Sequence, residues 1–236
     1  MKTLFLFILV FSVSIFPQNI KKIKLLLDNN SDFQKAYSLS IDLEHSISDK
    51  EGGVILFVDE KEFQSISNSG LNYEILINDW KAYYHSLPQL SEAEKEFIKI
   101  ESEKDFGVTG FGFGSMGGYY TLAEIEADLD EMFQLFPNLI TQKFSIGTSI
   151  EGKPIWAVKI SDNPNSNENE SAVGFDALVH AREPQSMATQ MYFIWYLLEN
   201  YGTDPEATYL INNREIYCVP CFNPDGYEYN RQTDPN

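Results

Sequence analysis

Apolar and polar blocks alternate along the first part of the chain at spacings that predict strands and helices in turn. Four blocks read as strands: IKKIKLLL, SIDLEHSI, GGVILFV and LNYEILIND. Two blocks between them, DFQKAYSLS and DEKEFQSISNSG, have the polar start and helical spacing of short helices. The predicted order is strand, helix, strand, strand, helix, strand, which is a split βαβ arrangement of the α+β class.

The second part of the chain has longer elements. Thr121 and Glu124 form a capping box, and the apolar positions that follow recur on one helical face until Pro137. ITQKFSIGTSI and KPIWAVKIS predict a hairpin that turns at Glu151-Gly152. The apolar run SAVGFDALV predicts a strand buried on both faces, and it precedes an amphipathic helix and the strand EIYCVPCF. Strand, helix and strand in this order predict a parallel pair, so this domain is α/β.

Composition shifts divide the chain into four segments. Residues 1–18 combine Lys2 with the apolar run LFLFILVFSVSIF, which is the layout of a secretory signal peptide, although a membrane anchor or a core strand is the alternative. Residues 19–86 form the first domain. Residues 87–118 are charged and then rich in glycine, which predicts a helical and glycine-rich linker, and residues 119–236 form the second domain. We expect a secreted or periplasmic protein without a membrane span after signal cleavage.

Charge and cysteine content narrow the function. A net charge of −18 without a large basic cluster makes nucleic acid an unfavourable partner. Cys218 and Cys221 form a C-x-x-C pair, which is compatible with a redox pair or half of a zinc site. Because no second pair or nearby histidine completes such a site, we predict buried structural thiols.

The candidate chemistry lies at His180-Ala181-Arg182-Glu183, directly after a predicted strand. Ligands of open α/β sheets bind beyond the carboxyl ends of the strands, where this turn is expected. An imidazole and a carboxylate three residues apart suit Zn²⁺. The alternative is that His180 and Glu183 cap the following helix, since Glu183 precedes the positive end of its dipole.

Four ordered segments together resemble the zinc carboxypeptidase family of the A and B type: YYTLAEIEADLDEMFQLFPNL, FSIGTSIEGKPIWAVKI, VHAREPQS and VPCFNPDGYEYNR. The resemblance implies that His180 and Glu183 are the first two zinc ligands and that Arg182 binds substrate near the scissile carbonyl. It implies zinc-dependent hydrolysis of C-terminal peptide bonds, with peptide or protein C-termini as substrates. The expected fold is an incomplete mixed α/β sheet of this family, preceded by a small ferredoxin-like α+β domain that resembles an activation segment.

The sequence departs from the family pattern after the Asn223-Pro224-Asp225-Gly226 run, which we predict to be a turn followed by a polar loop. The third ligand and the catalytic glutamate of the family follow this run, so no catalytic residue is assigned here. The other histidines, His45 and His85, lie in the first domain. We therefore predict a truncated, inactive chain with exposed sheet edges. The alternatives are a non-catalytic binding module of the same fold and a related zinc amidohydrolase or deacylase.

Overall fold

The computed structural model describes residues 19–44, 46–50 and 52–233, so the predicted signal segment 1–18 lies outside the described residues. The chain divides into two compact units, residues 1–88 and residues 89–236. No helix in the described part is both long and apolar enough to cross a membrane.

In its described residues, the first unit contains four strands and three helices. In chain order they are β1 (Lys21–Leu25), α1 (Asn30–Ser38), β2 (Ile47–Ser48), β3 (Val54–Val58), α2 (Glu60–Ser69), β4 (Tyr73–Ile77) and α3 (Trp80–His85). The sheet order is β2-β3-β1-β4, and every neighbouring pair is antiparallel. This connectivity is the predicted split βαβ arrangement.

Local signals fix the helices of the first unit. Asp59 and Glu62 form a capping box at the start of α2, and Gly70 ends the helix at a φ of 76°, where a side chain would be strained. One face of β1 is buried, with Ile23 and Leu25 at 0% exposure. These residues pack in a separate small core with Leu56, Val58 and Ile66.

The second unit is built on a mixed four-stranded sheet. Its elements are α4 (Glu92–Phe106), α5 (Leu122–Leu135), β5 (Phe144–Thr148), β6 (Pro154–Ile160), β7 (Ser171–Asp176), α6 (Pro184–Asn200), α7 (Pro205–Asn213), β8 (Arg214–Val219) and α8 (Pro224–Thr233). The sheet order is β5-β6-β8-β7. The β5–β6 hairpin is antiparallel and the β7–β8 pair is parallel, which confirms the predicted hairpin and crossover.

The core of the second unit surrounds Trp195, which is 1% exposed. The indole Nε1 donates to Asp128 of α5 at 3.0 Å, and Asp128 is itself only 7% exposed. Gly110 lies against the indole ring, because a Cβ at this position would stand 2.3 Å from the ring. The absence of a side chain at Gly110 thus permits this packing.

The predicted linker, residues 87–118, belongs from residue 89 onward to the second unit. The Ser102 hydroxyl of α4 is 3.0 Å from the hydroxyl of Tyr192, and the Thr109 amide donates to the Glu199 carboxylate at 2.8 Å. Val108 is 2% exposed in the core. Much of this glycine-rich segment therefore packs as part of the domain.

The structure corrects three sequence predictions. All six residues of β7 are exposed, so the prediction of a strand buried on both faces is wrong; β7 lies at an edge of the sheet among the described strands. The predicted turn at Asn223-Pro224-Asp225-Gly226 is the start of α8, because the Asn223 side-chain oxygen accepts from the Gly226 amide at 3.0 Å. The predicted polar loop after it is wrong up to residue 233, because α8 extends over Pro224–Thr233; residues 234–236 lie outside the described residues.

Candidate metal centre

The turn that carries His180 and Glu183 leaves the sheet at the carboxyl end of β7. The Ala177 amide still pairs with the Val219 carbonyl at 2.9 Å. Leu178 then adopts a φ of 51°, which is uncommon for a residue with a branched side chain. Its side chain is buried, at 1% exposure. Its amide donates to the Ser186 hydroxyl at 3.0 Å. The chain is therefore redirected sharply before residue 180.

The structure brings His180 and Glu183 together. Nδ1 of His180 lies 3.2 Å from both carboxylate oxygens of Glu183. The Glu183 amide donates to the His180 carbonyl at 3.0 Å, which closes the turn. The two side chains are 56% and 50% exposed, so a ligand can reach them from solvent.

This geometry discriminates between the two interpretations of the pair. Glu183 occupies the N-cap position of α6, but its side chain makes no capping hydrogen bond. At the helix start, Pro184 has no amide hydrogen to satisfy, and the Ser186 amide donates to the Glu183 carbonyl at 3.1 Å. The Glu183 carboxylate is thus available for another partner.

The donor atoms fit a zinc ion. Zinc bonds of about 2.0–2.2 Å at a tetrahedral angle place the nitrogen and oxygen ligands about 3.4 Å apart. The 3.2 Å separation of His180 Nδ1 from each Glu183 oxygen is close to this value. A neutral imidazole and a carboxylate are also ligand types that zinc accepts.

The described residues bring no third ligand to this pair. Within residues 19–44, 46–50 and 52–233, the group of three or more potential metal ligands lies elsewhere, at Asp162, Glu168 and Glu170. Arg182 is exposed between the two candidate ligands. Cys218 and Cys221 are free and buried, which confirms the predicted thiols, and burial raises the pKa of each.

Residues at the start of α8 and within it donate hydrogen bonds to the backbone carbonyls of the turn. The Phe222 amide donates to the Ala177 carbonyl at 2.9 Å, and the Asn223 amide donates to the Leu178 carbonyl at 3.1 Å. The side-chain amide of Asn230 donates to the Ala181 carbonyl at 2.9 Å. The sequence prediction missed these contacts because it placed a turn and a loop where α8 lies.

Asp225 ties α8 to the β5–β6 hairpin. Its carboxylate accepts from the Ser149 hydroxyl at 2.7 Å, from the Glu151 amide at 3.0 Å and from the Lys153 ammonium at 3.1 Å. Desolvation acts to raise the pKa of Asp225, but these three donors outweigh it and hold the pKa below its ordinary value. The carboxylate therefore stays ionised as a structural anchor.

Comparison with known proteins gives a consistent result. A family model described as zinc carboxypeptidase matches residues 125–236. Carboxypeptidase A2 of Mus musculus is 31% identical over 169 residues, which are 72% of this chain and 37% of the relative. A zinc carboxypeptidase of Saccharothrix mutabilis subsp. capreolus is 36% identical over 116 residues, which are 49% of this chain and 26% of the relative. The chain thus spans well under half the length of these curated relatives.

Solved structures show the same fold. The crystal structure of carboxypeptidase A from Helicoverpa armigera has a TM-score of 0.64 at 20% identity, over 91% of this chain and 51% of that chain. The crystal structure of thrombin activatable fibrinolysis inhibitor has a TM-score of 0.62 at 20% identity, over 92% of this chain and 53% of that chain.

The mixed sheet, with its His-x-x-Glu turn beyond the carboxyl end of a parallel strand, is an α/β domain with the fold of the carboxypeptidases. Residues 125–236, which carry this turn, are similar to the zinc carboxypeptidase family.

Proposed function

We propose that this chain carries part of the active site of a secreted zinc metallocarboxypeptidase, in which His180 and Glu183 are two of the zinc ligands. The observation that carries the proposal is the 3.2 Å approach of His180 Nδ1 to both oxygens of Glu183 on a solvent-exposed turn. The reaction is hydrolysis of the C-terminal peptide bond of a peptide or protein. The similarity of residues 125–236 to the zinc carboxypeptidase family supports this reaction type.

The residues of the turn have distinct roles in this proposal. His180 and Glu183 would hold a zinc ion, which would supply a Lewis acid for the scissile carbonyl and a lowered pKa for a water molecule. His180 would bind the ion through Nδ1. Arg182 lies between them in sequence and is exposed, so its guanidinium can donate to a carbonyl or carboxylate oxygen of the substrate.

Among the described residues the proposed site has two ligands, whereas catalytic zinc sites use three protein ligands. We therefore expect this chain to bind zinc weakly and to release no C-terminal residue by itself. We assign the general base to no residue of this chain. The strongly acidic composition, with a net charge of −18, supports a peptide substrate over nucleic acid. The basic and apolar composition of residues 1–18 supports export.

Zinc affinity of the purified chain tests the assignment. Titration calorimetry on wild type, His180→Ala and Glu183→Gln should show that each substitution weakens zinc binding by more than about tenfold. His85→Ala is the matched control, because His85 lies in α3 of the other unit. Equal zinc affinity in wild type and His180→Ala would contradict the proposal. Zinc binding through His180 in a full catalytic chain that cleaves no peptide would instead indicate a binding module.

A further inference from the structure

We propose that Asn230 is a positioning residue, which fixes the peptide group between the two candidate zinc ligands from the second turn of α8. The inference rests on the proposed function for its consequence on zinc, but the contact itself does not depend on a metal. The Asn230 side-chain amide donates to the carbonyl of Ala181 at 2.9 Å. Ala181 directly follows His180 in the turn that ends at Glu183.

A continuous face of α8 is directed at this turn. Asn223, Gly226 and Asn230 are spaced three and four residues apart, which places them on one side of a helix. The backbone amide of Asn223 donates to the Leu178 carbonyl, and the side-chain amide of Asn230 donates to the Ala181 carbonyl. The helix and the turn are thus joined at two points, one on each side of residue 180.

Gly226 permits the close approach that the Asn230 contact needs. A Cβ built at Gly226 would lie 2.9 Å from the Cβ of Ala181, which is too short for two carbon atoms without movement. A side chain here would push α8 away from the turn and lengthen the Asn230 contact. The glycine is required by space, since its backbone is not in the left-handed region.

A neighbouring residue of α8 is anchored in the core. Tyr227 is 1% exposed, and its hydroxyl donates to the Tyr120 carbonyl at 2.7 Å. Because the buried Tyr227 fixes α8, the helix can hold the turn in place. His180 and Glu183 are half exposed, so the orientation of their side chains depends strongly on the backbone that Asn230 holds.

Amide hydrogen exchange of the metal-free chain tests the contact directly. Asn230→Asp keeps the size of the side chain but removes the amide donor and sets a carboxylate against the Ala181 carbonyl. We expect exchange at the Glu183 amide, which bonds the His180 carbonyl, to accelerate about tenfold, as for loss of one net hydrogen bond. Asn213→Asp is the matched control, because Asn213 makes the same kind of bond to the Tyr209 carbonyl at 2.8 Å in α7.

Metal binding tests the consequence. Asn230→Asp should weaken zinc binding about tenfold while Asn213→Asp leaves it unchanged, and Co²⁺ spectra should show an altered ligand geometry in the first variant alone. Exchange at Glu183 that is equal in Asn230→Asp and Asn213→Asp overturns the positioning role, whether or not zinc binds. Zinc affinity that is equal in wild type and His180→Ala overturns the proposed function while leaving the exchange result to decide this inference. Thermal unfolding of Asn230→Asp and Asn213→Asp shows whether either variant has lost its overall structure. If Asn230→Asp has, the exchange measurement is repeated with Asn230→Ala, which adds no charge.

Discussion

Asp128 is the carboxylate whose ionisation we expect to control the stability of the second unit. It lies in α5 at 7% exposure and accepts a hydrogen bond from Trp195 Nε1 at 3.0 Å. Burial raises the pKa of Asp128 from its ordinary value of 3.8 to about 7, and the Trp195 donor only partly opposes this effect. Glu131 on the same helix adds to the increase.

The size and sign of the effect follow from proton linkage. The difference between a pKa of about 7 in the folded chain and 3.8 in the unfolded chain corresponds to at most about 4 kcal/mol. Because the folded-state pKa is raised, the protonated group contributes this stability fully below pH 3.8. The contribution is lost as the pH rises through about 7. Asn at position 128 stays neutral throughout and keeps an oxygen for the indole.

Urea unfolding of wild type and Asp128→Asn between pH 4 and pH 8, followed by tryptophan fluorescence, measures this effect. The free energy of unfolding of the variant should rise relative to wild type by up to about 4 kcal/mol across this range. Asp130→Asn in the same helix is the control, since Asp130 is a half-exposed partner of Lys143 and should contribute less than about 1 kcal/mol. A difference between Asp128→Asn and wild type that does not vary with pH would refute the reasoning.

Three further predictions concern the second unit. Gly110→Ala should destabilise the second unit by about 1–3 kcal/mol or more, because the new Cβ would stand 2.3 Å from the Trp195 ring. An unchanged midpoint of thermal unfolding would contradict this packing. Glu215→Ala should lower the free energy of unfolding in urea by about 3–5 kcal/mol, because it leaves Lys159 as an unpaired buried charge. The Lys159 side chain is only 5% exposed. The additional substitution Lys159→Met should restore the stability, and a failure to do so would contradict this reason. Both cysteine thiols should resist alkylation in the folded chain and react in denaturant, and fast labelling under native conditions would argue against their burial.

The elements that the sequence predicts well are those fixed by neighbouring residues. The capping box of Thr121 and Glu124 starts α5 as predicted. The proximity of His180 and Glu183 is equally local, because a spacing of three residues on a tight turn brings the side chains together. The helix α7 was missed, although Asp204 and Pro205 carry the N-cap and first-turn signals that announce it.

The features that the sequence does not reveal depend on tertiary context. Asn-Pro-Asp-Gly satisfies a turn and a helix start equally well, since Asn caps a helix and Pro opens one. Packing of Tyr227 into the core favours the helix α8 over a turn, and it places Asn230 against the turn that carries His180. The exposure of β7 likewise depends on which strands lie beside it, and an apolar run carries no information on that order.

The parallel pairing of β7 with β8 also has a consequence for the order of folding. The β5–β6 hairpin joins neighbouring segments, whereas Ser171 meets Arg214 only after the whole of α6 and α7 has been placed between them. Loop closure over such a distance costs entropy before any strand contact compensates for it, and distant pairings slow folding. We expect the hairpin to form early and β7 to join last. Until then β8 exposes an unpaired edge, so the speed of this last step governs how long the nascent chain is prone to aggregate.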